Sequence, residues 1–337
     1  MIKNTNALKA LAARFGPEMT VAATTKADDA EANHVVVENL PNADVVIVGI
    51  GSDNAPFKIE VDAAGRAVAA GQKLVLLTDM RGTIRGRTEK RFREEVLGKV
   101  ALAIVPKGDA TLARRVCPNA MVLETHHPDI EGAELVLVSR EVLRAALNIP
   151  TDAFVALIPG SKTREVNEEV LATVRDAKLK NVVVLFLTHP GEQGTPSSVY
   201  EGYGVRVVPA GTMIAGQKSS ADLLLPAADV FCNIASTSAD RAGCLRIPTL
   251  WFQTPKVRAM LKKNSGNETP EECLGEKPVA VAIESADGLQ TVVVGLRNKP
   301  EWIDELRERQ EAHYPLPTPT KGTAVKAMAS AILAIVK

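Results

Sequence analysis

Short apolar runs alternate with helical patterns from one end of the chain to the other. In the first half the runs are TVAAT (20–24), HVVVE (34–38), DVVIVGI (44–50), KLVLLTD (73–79), ALAIVPK (101–107) and AMVLET (120–125). The second half supplies AFVALIPG (153–160), NVVVLFLTH (181–189), VRVVPAG (205–211), DVFCNIA (229–235), PTLWFQ (248–253) and PVAVAIES (278–285). Val, Ile and Leu follow one another in these runs without polar alternation, the pattern of parallel strands buried on both faces. Segments such as FKIEVDAAGRAVAAG, TREVNEEVLATVRDA and STSADRAGCLR lie between them and predict helices. Strand then helix, repeated, predicts an α/β fold with mainly parallel sheets.

A chain of 337 residues is too long for one ordinary core and suits two domains. The best boundary is LNIPTDAF near 148–154, where Pro150 precedes a new strand. The expectation is two doubly wound, Rossmann-like domains, residues 1–150 and 151–316, with ligands at the C-terminal strand ends and the two ends facing across a cleft. The Pro-rich YPLPTPTKG (314–322) then links to a last helix within 317–337, placed to cross back to the first domain. That helix, AVKAMASAILAIVK, is apolar but short, and is expected to pack against the protein. No apolar stretch approaches the roughly 20 residues that span a bilayer, and MIKNTNALKALAARFG does not read as a signal peptide.

Aromatic content of 4% points to cores of aliphatic side chains. The formal net charge is zero, so any polyanion must be held by a local patch. Cys117, Cys232, Cys244 and Cys273 form no CxxC pair and have no His at metal-ligand spacing. They fit buried thiols of a reduced, cytosolic protein, with a peripheral place at a membrane or nucleic acid left open. Neither a metal site nor a tightly bound cofactor is expected.

Three segments carry candidate phosphate chemistry. In LIPGSKTREV (157–166) an apolar strand runs into Gly160, Ser161 and Lys162, and a polar helix follows. Gly160 permits a tight turn, and the N–H groups of residues 161–164 would point outward from a helix start, where anions are favoured. Lys162 adds a charge. The GxxxxGK[ST] spacing of a P-loop is absent, because Ser161 separates Gly160 from Lys162 and position 155 is Val. In FCNIASTSADRAGCLRIPTLWF (231–252) a strand ends in Ser236, Thr237 and Ser238, apt for diphosphate oxygens or as simple helix caps. In LTHPGE (187–192), His189 stands at the end of a very apolar strand. Together the three fall at successive strand ends of one domain.

These residues resemble the two-domain GT-B glycosyltransferases. LIPGSKTREV resembles a segment of lipid-A-disaccharide synthase-like enzymes through Pro159, Gly160, Ser161, Lys162, Glu165 and Val166, with Lys where Arg is usual. Residues 231–252 resemble that fold's donor-binding turn, and THPGE the His-Pro turn of surface-polysaccharide and teichoic-acid transferases. ALAIVPKGDATLARRVCPNAMVLETHHPDIEG resembles the strand–helix–strand that closes the N-terminal domain. The resemblance implies a nucleotide-sugar donor, a UDP-sugar foremost, as co-substrate of the C-terminal domain, with an acceptor on the N-terminal one. Where the family carries a ribose-binding carboxylate on the helix after the turn, this chain has Arg241, with Asp240 one residue away.

On that implication the reaction is a metal-independent hexosyl transfer, in which Lys162, His189, Arg241 and helix starts stabilise the leaving diphosphate. Asp53, in VIVGIGSDNAPFKIEV, is the first candidate for the base that takes the acceptor proton, and Asp79 the second. The Gly49-Ile50-Gly51-Ser52 stretch lacks the third glycine of a dinucleotide fingerprint and reads as an acceptor loop, with Gly51 and Ser52 facing acceptor. The basic run MRGTIRGRTEKRFREE (80–95), with Arg81, Arg85, Arg87 and Arg91, can be a solvated loop or a patch for acceptor phosphates. The acceptor would be a glycolipid, a polysaccharide or a hydroxylated DNA base, as in phage-type DNA glycosyltransferases. His126-His127-Pro128 is equally consistent with lining a cleft and with structure alone. Two alternatives stand beside transfer: a sugar-nucleotide 2-epimerase, and a non-catalytic binder of nucleotide-sugar or polyanion.

Overall fold

The computed structural model describes residues 11, 14, 44–50, 55–78, 84–89, 92–126, 128–131, 138–192, 196–265, 279–314 and 320–336. Every apolar run named above that falls among them is a strand; the runs at 20–24 and 34–38 lie outside the described residues. In chain order the first elements are β1 (Val45–Ile50), α1 (Ala55–Ala69), β2 (Lys73–Thr78), α2 (Glu94–Leu97), β3 (Val100–Pro106), α3 (Ala110–Val116) and β4 (Met121–Thr125). Next come α4 (Arg140–Ala146), β5 (Phe154–Pro159), α5 (Arg164–Asp176), β6 (Val182–Leu187), α6 (Ser198–Glu201), β7 (Arg206–Val208), β8 (Met213–Ile214) and β9 (Gln217–Lys218). The chain continues with α7 (Ala221–Leu224), β10 (Val230–Asn233), α8 (Ser238–Cys244), β11 (Thr249–Phe252) and α9 (Pro255–Ser265). It ends with β12 (Val281–Ile283), α10 (Ala286–Asn298), α11 (Pro300–His313) and α12 (Thr323–Val336).

The chain forms two compact units, the first of residues 1–131, 262–275 and 319–337, the second of residues 132–261 and 276–318. The first unit holds a parallel sheet in the order β1-β2-β3-β4. Alternation along β2 explains why its run is uniformly apolar. Leu74 and Leu76 pack with Ala64 and Ala67 of α1, while Val75 and Leu77 pack with Met328 and Ile332 of α12. Successive side chains point to opposite faces of a strand, so a sheet covered on both sides needs apolar residues at every position. Glu131 fixes the start of α12. Its buried carboxylate accepts the Gly322 and Ala324 N–H groups, both at 2.6 Å, and a bond from His126 Nε2 at 2.9 Å. It thereby meets N–H groups that a helix start leaves without intrahelical partners.

The second unit is built on six parallel strands in the order β12-β11-β10-β5-β6-β7. A small antiparallel ribbon, β8 with β9, follows β7, turning through Ala215 and Gly216 with φ of 48° and 79°. Two positive φ values are the signature of a tight hairpin turn. With two residues in each strand, the ribbon leaves no periodic signal in the sequence. The chain divides between Glu131 and Gly132, ahead of the 148–154 segment, and α4 belongs with the second sheet. Arg144, only 2% exposed, is the reason. Its guanidinium donates to the carbonyls of Ala227 (3.0 Å), Thr151 (2.8 Å) and Ala153 (2.9 Å) and to Asp229 Oδ2 (2.7 Å). Asp229 also accepts the Val155 N–H at 2.7 Å and a bond from Arg140. One side chain therefore ties α4 and its exit turn to the starts of β5 and β10.

Candidate functional site

In the second sheet the chain lays β5, β6 and β7 to one side, then returns to lay β10, β11 and β12 on the other. That reversal makes a topological switch point between β5 and β10, and open α/β sheets bind ligands outside the C-terminal strand ends at such a point. The three segments marked in the sequence leave the sheet there: 160–163 after β5, 188–192 after its neighbour β6, and 234–237 after β10.

The turn after β5 is tight and internally bonded. The Gly160 N–H donates to the Leu187 carbonyl at 2.7 Å. A Cβ at Gly160 would lie 3.0 Å from Phe186 Cζ and 3.1 Å from the Leu187 oxygen, so a glycine lets the two strand ends approach. Asn167, fully buried on α5, clamps the next residue from both sides. Its Oδ1 accepts the Ser161 N–H at 2.7 Å, and its Nδ2 donates to the Ser161 carbonyl at 3.0 Å and to Glu192 Oε1 at 3.2 Å. The same Glu192 oxygen accepts from the Tyr200 hydroxyl. The buried Tyr200 ring meets Phe186 edge-on, centroids 4.9 Å apart. Burial first, and then the bond to Glu192, raise the Tyr200 pKa well above its ordinary range, so the phenol keeps its proton.

The expectation that residues 161–164 all present free N–H groups needs correction. Ser161 gives its N–H to Asn167, and Thr163 gives its own to Ser161 Oγ at 3.1 Å. Only Lys162 and Arg164 have N–H groups with no acceptor among the described residues. Two backbone donors and the exposed Lys162 side chain are what this turn offers an anion. Asn167, Glu192 and Tyr200 were not singled out in the sequence. The available signal was an asparagine on the apolar face of α5, among Val166, Val170, Leu171 and Val174.

His189 adds a defined donor. Its Nδ1 accepts the Gly191 N–H at 2.8 Å, which leaves the neutral ring's proton on Nε2. A Cβ at Gly191 would sit 3.1 Å from the His189 ring and 3.5 Å from Lys162 Cγ, so imidazole and lysine stem both border this glycine. Burial first, and then the Lys162 charge, lower the His189 pKa below its ordinary value. Unfolded histidine titrates near about pH 6.5. As pH falls, the unfolded chain takes up this proton before the folded one, so stability is full above about 6.5 and declines as pH drops toward the folded pKa. Urea titrations at several pH values are expected to show His189→Gln losing less stability than the native chain on acidification. Parallel curves would contradict this assignment.

After β10 the buried Asn233 accepts the Ser236 N–H at 2.7 Å, and Ser236 Oγ accepts the Ser238 N–H at 3.2 Å. Ser236 is thus partly committed to its own turn, while Thr237 and Ser238 are half-buried at the start of α8. The two charged candidates on α8 already have partners. Asp240 Oδ1 accepts from the Tyr314 hydroxyl at 2.9 Å, and Arg241 lies 3.7 Å from Asp222 of α7. Tyr314 also covers Gly243, where a Cβ would come within 2.2 Å of its ring.

Solved structures share this architecture. HepE from Anabaena in complex with UDP matches with a TM-score of 0.56 at 12% identity, over 88% of this chain and 80% of that one. A protein from Listeria monocytogenes assigned as a UDP-N-acetylglucosamine 2-epimerase matches with a TM-score of 0.54 at 14% identity, over 87% and 73%. Sucrose-phosphate synthase from Thermosynechococcus elongatus matches with a TM-score of 0.53 at 13% identity, over 86% and 73%. The chain has the GT-B fold. No protein-family model matches it, and no curated protein does. At such identities the likeness speaks for the fold alone.

In the first unit of this GT-B chain, β1 and β2 end side by side, Ile50 opposite Thr78. The segments that carry Asp53 and Asp79 therefore start from neighbouring strand ends. Gly51, Ser52, Asp53, Asp79, Arg81 and Arg91 themselves lie outside the described residues, and Arg85 and Arg87 belong to the helical turn Ile84–Glu89. Cys117, Cys232 and Cys244 are buried, and burial pushes the Cys117 and Cys232 thiols up to about 12, which removes them from thiolate chemistry near neutral pH. Cys273 lies outside the described residues. Among the described residues no helix is long and apolar enough to cross a membrane.

Proposed function

We propose that the chain is a glycosyltransferase that moves a hexosyl group from a nucleotide-diphosphate donor, a UDP-sugar, to an acceptor hydroxyl. The observation that carries this reading is the rigid Gly160–Lys162 turn at the switch point of the second sheet, with His189 beside it. Lys162, the Lys162 and Arg164 N–H groups and the His189 Nε2–H supply positive charge and donors for a departing diphosphate, without routing the step through a metal. A turn braced by Asn167 and Glu192 needs little rearrangement when that charge develops. The hydroxyls of Thr237 and Ser238 are the further donor ligands. Asp53 is the proposed base for the acceptor proton, with Asp79 second. The acceptor is a glycan, a glycolipid or a hydroxylated DNA base, with Arg81, Arg85, Arg87 and Arg91 as its anionic contact.

Calorimetry with UDP and thermal shift with UDP-, TDP-, GDP- and CMP-sugars test the reading. UDP is expected to bind, and Lys162→Ala to weaken it by about 10–100-fold, the effect of one charge-assisted hydrogen bond of about 1.5–3 kcal/mol. No stabilisation by any nucleotide or nucleotide-sugar would sink it. The 2-epimerase reading draws on the same fold, through the Listeria structure. Following the sugar separates the two: inversion at C2 of an intact UDP-sugar marks an epimerase, release of UDP a transferase. Binding with neither change marks a non-catalytic binder.

A further inference from the structure

A cavity of about 330 Å³ lies at the other end of the second sheet. Phe154 opens β5, Asp229 precedes β10 and Pro248 precedes β11, so their shared cavity sits under the N-terminal strand ends. The candidate donor site, at Gly160 and Ser236, is outside the C-terminal ends of the same strands.

Three arginines line this cavity, Arg140, Arg246 and Arg307, against one acid, Asp229. That carboxylate is already shared between Arg140 and the buried Arg144. A second acid, Asp304, stands 3.7 Å from Arg307 on α11 but outside the lining. In a chain with no net charge, the excess of positive charge here is local.

The arginines are also held in place. Arg140 Nη1 donates to the Ala228 carbonyl at 3.1 Å. Arg246 donates from Nη1 to the Gly243 carbonyl at 2.8 Å and from Nη2 to the Tyr314 carbonyl at 2.7 Å, and Arg307 Nε donates to the Arg246 carbonyl at 3.3 Å. Each guanidinium carries five N–H donors, so these bonds orient the groups and leave donors over. Arg246 has φ of 57°, at the exit of α8, a left-handed position that favours glycine. An arginine there gives up backbone comfort and places a fixed cation at the cavity. Phe154, Ile247 and Ile303 supply an apolar floor.

Guanidinium forks match phosphate oxygens, and an apolar floor suits a compact organic body. The volume lies at the low end of the roughly 300–1,000 Å³ of small-molecule pockets. We propose that this cavity is a second anion site, separate from the candidate donor site, that binds a small organic phosphate. The proposal does not depend on the glycosyltransferase reading.

Phenyl phosphate is the probe, titrated calorimetrically into the full chain with and without saturating UDP. It is expected to bind equally in both cases, and more weakly by about tenfold or more in Arg307→Glu. Arg307 is half-exposed, and the milder Arg307→Gln is expected to show a smaller loss in the same direction. UDP binding should be unchanged in both variants. Inorganic phosphate, which gains nothing from the floor, is expected to bind more weakly than phenyl phosphate. The proposal is overturned if phenyl phosphate fails to bind at millimolar concentration, if UDP displaces it, or if both Arg307 variants bind it as the native chain does.

Discussion

Arg144→Ala is expected to lower the stability of the second unit by about 3–5 kcal/mol, the usual effect of removing one partner of a buried ion pair. The side chain is 2% exposed and serves four acceptors on two segments, the Thr151–Ala153 turn and the Ala227–Asp229 stretch before β10. Truncation leaves those carbonyls without their donor and opens a cavity between α4 and the sheet. Arg144→Lys keeps the charge but cannot reproduce a planar fork that reaches all four, so a loss between native and Ala is expected. The chain's two tryptophans, Trp251 and Trp302, both belong to the second unit, so urea unfolding followed by their fluorescence reads the effect there. A shift below about 1 kcal/mol would show that water or Arg140 takes over the role.

Asn167→Leu is expected to lower stability by about 2–5 kcal/mol and UDP affinity by about tenfold or more. The stability term follows from the Ser161 N–H and carbonyl, both bonded to this amide, where each buried group left unpaired costs about 1–3 kcal/mol. The affinity term follows from the turn itself. Lys162 is presented by the residue that Asn167 holds, and a loosened turn must be reordered when UDP binds. Asn167→Asp separates the contributions. Its carboxylate can still accept the Ser161 N–H, but it cannot donate to the Ser161 carbonyl and faces Glu192, 3.2 Å from the native amide nitrogen. Its losses are expected to be intermediate at neutral pH. Leu and Asp variants that bind UDP as tightly as the native chain, measured where both are folded, would remove Asn167 from the proposed donor site.

Much of both sheets was legible in the chain. KLVLLT in the first, and FVALIP and VVVLFL in the second, read as buried parallel strands because every position of a doubly covered strand meets a core. Gly160, Lys162 and His189 were legible as site candidates because ligands gather at C-terminal strand ends in such sheets. The roles of Asn167 and Arg144 were not. Each is polar within a helical segment, a pattern that normally marks a solvated face, and only the packing of that face against the sheet turns it inward. The same holds for the N–H groups of Ser161 and Thr163, which looked available until the side chains that take them were in view.

By itself, the sequence determined the alternation of strand and helix, the parallel character of the sheets and the strand ends at which the candidate donor-site residues stand. These follow from local periodicity and from glycine and proline at turns, which neighbouring residues encode. The tertiary structure alone decided the strand order that puts the switch point between β5 and β10, and the reach of Asn167 and Glu192 to one turn. It also decided that Arg140, Arg246 and Arg307 converge beneath the opposite end of the sheet. Those depend on contacts between residues far apart in the chain, whose partners are set only when the sheet closes on its helices.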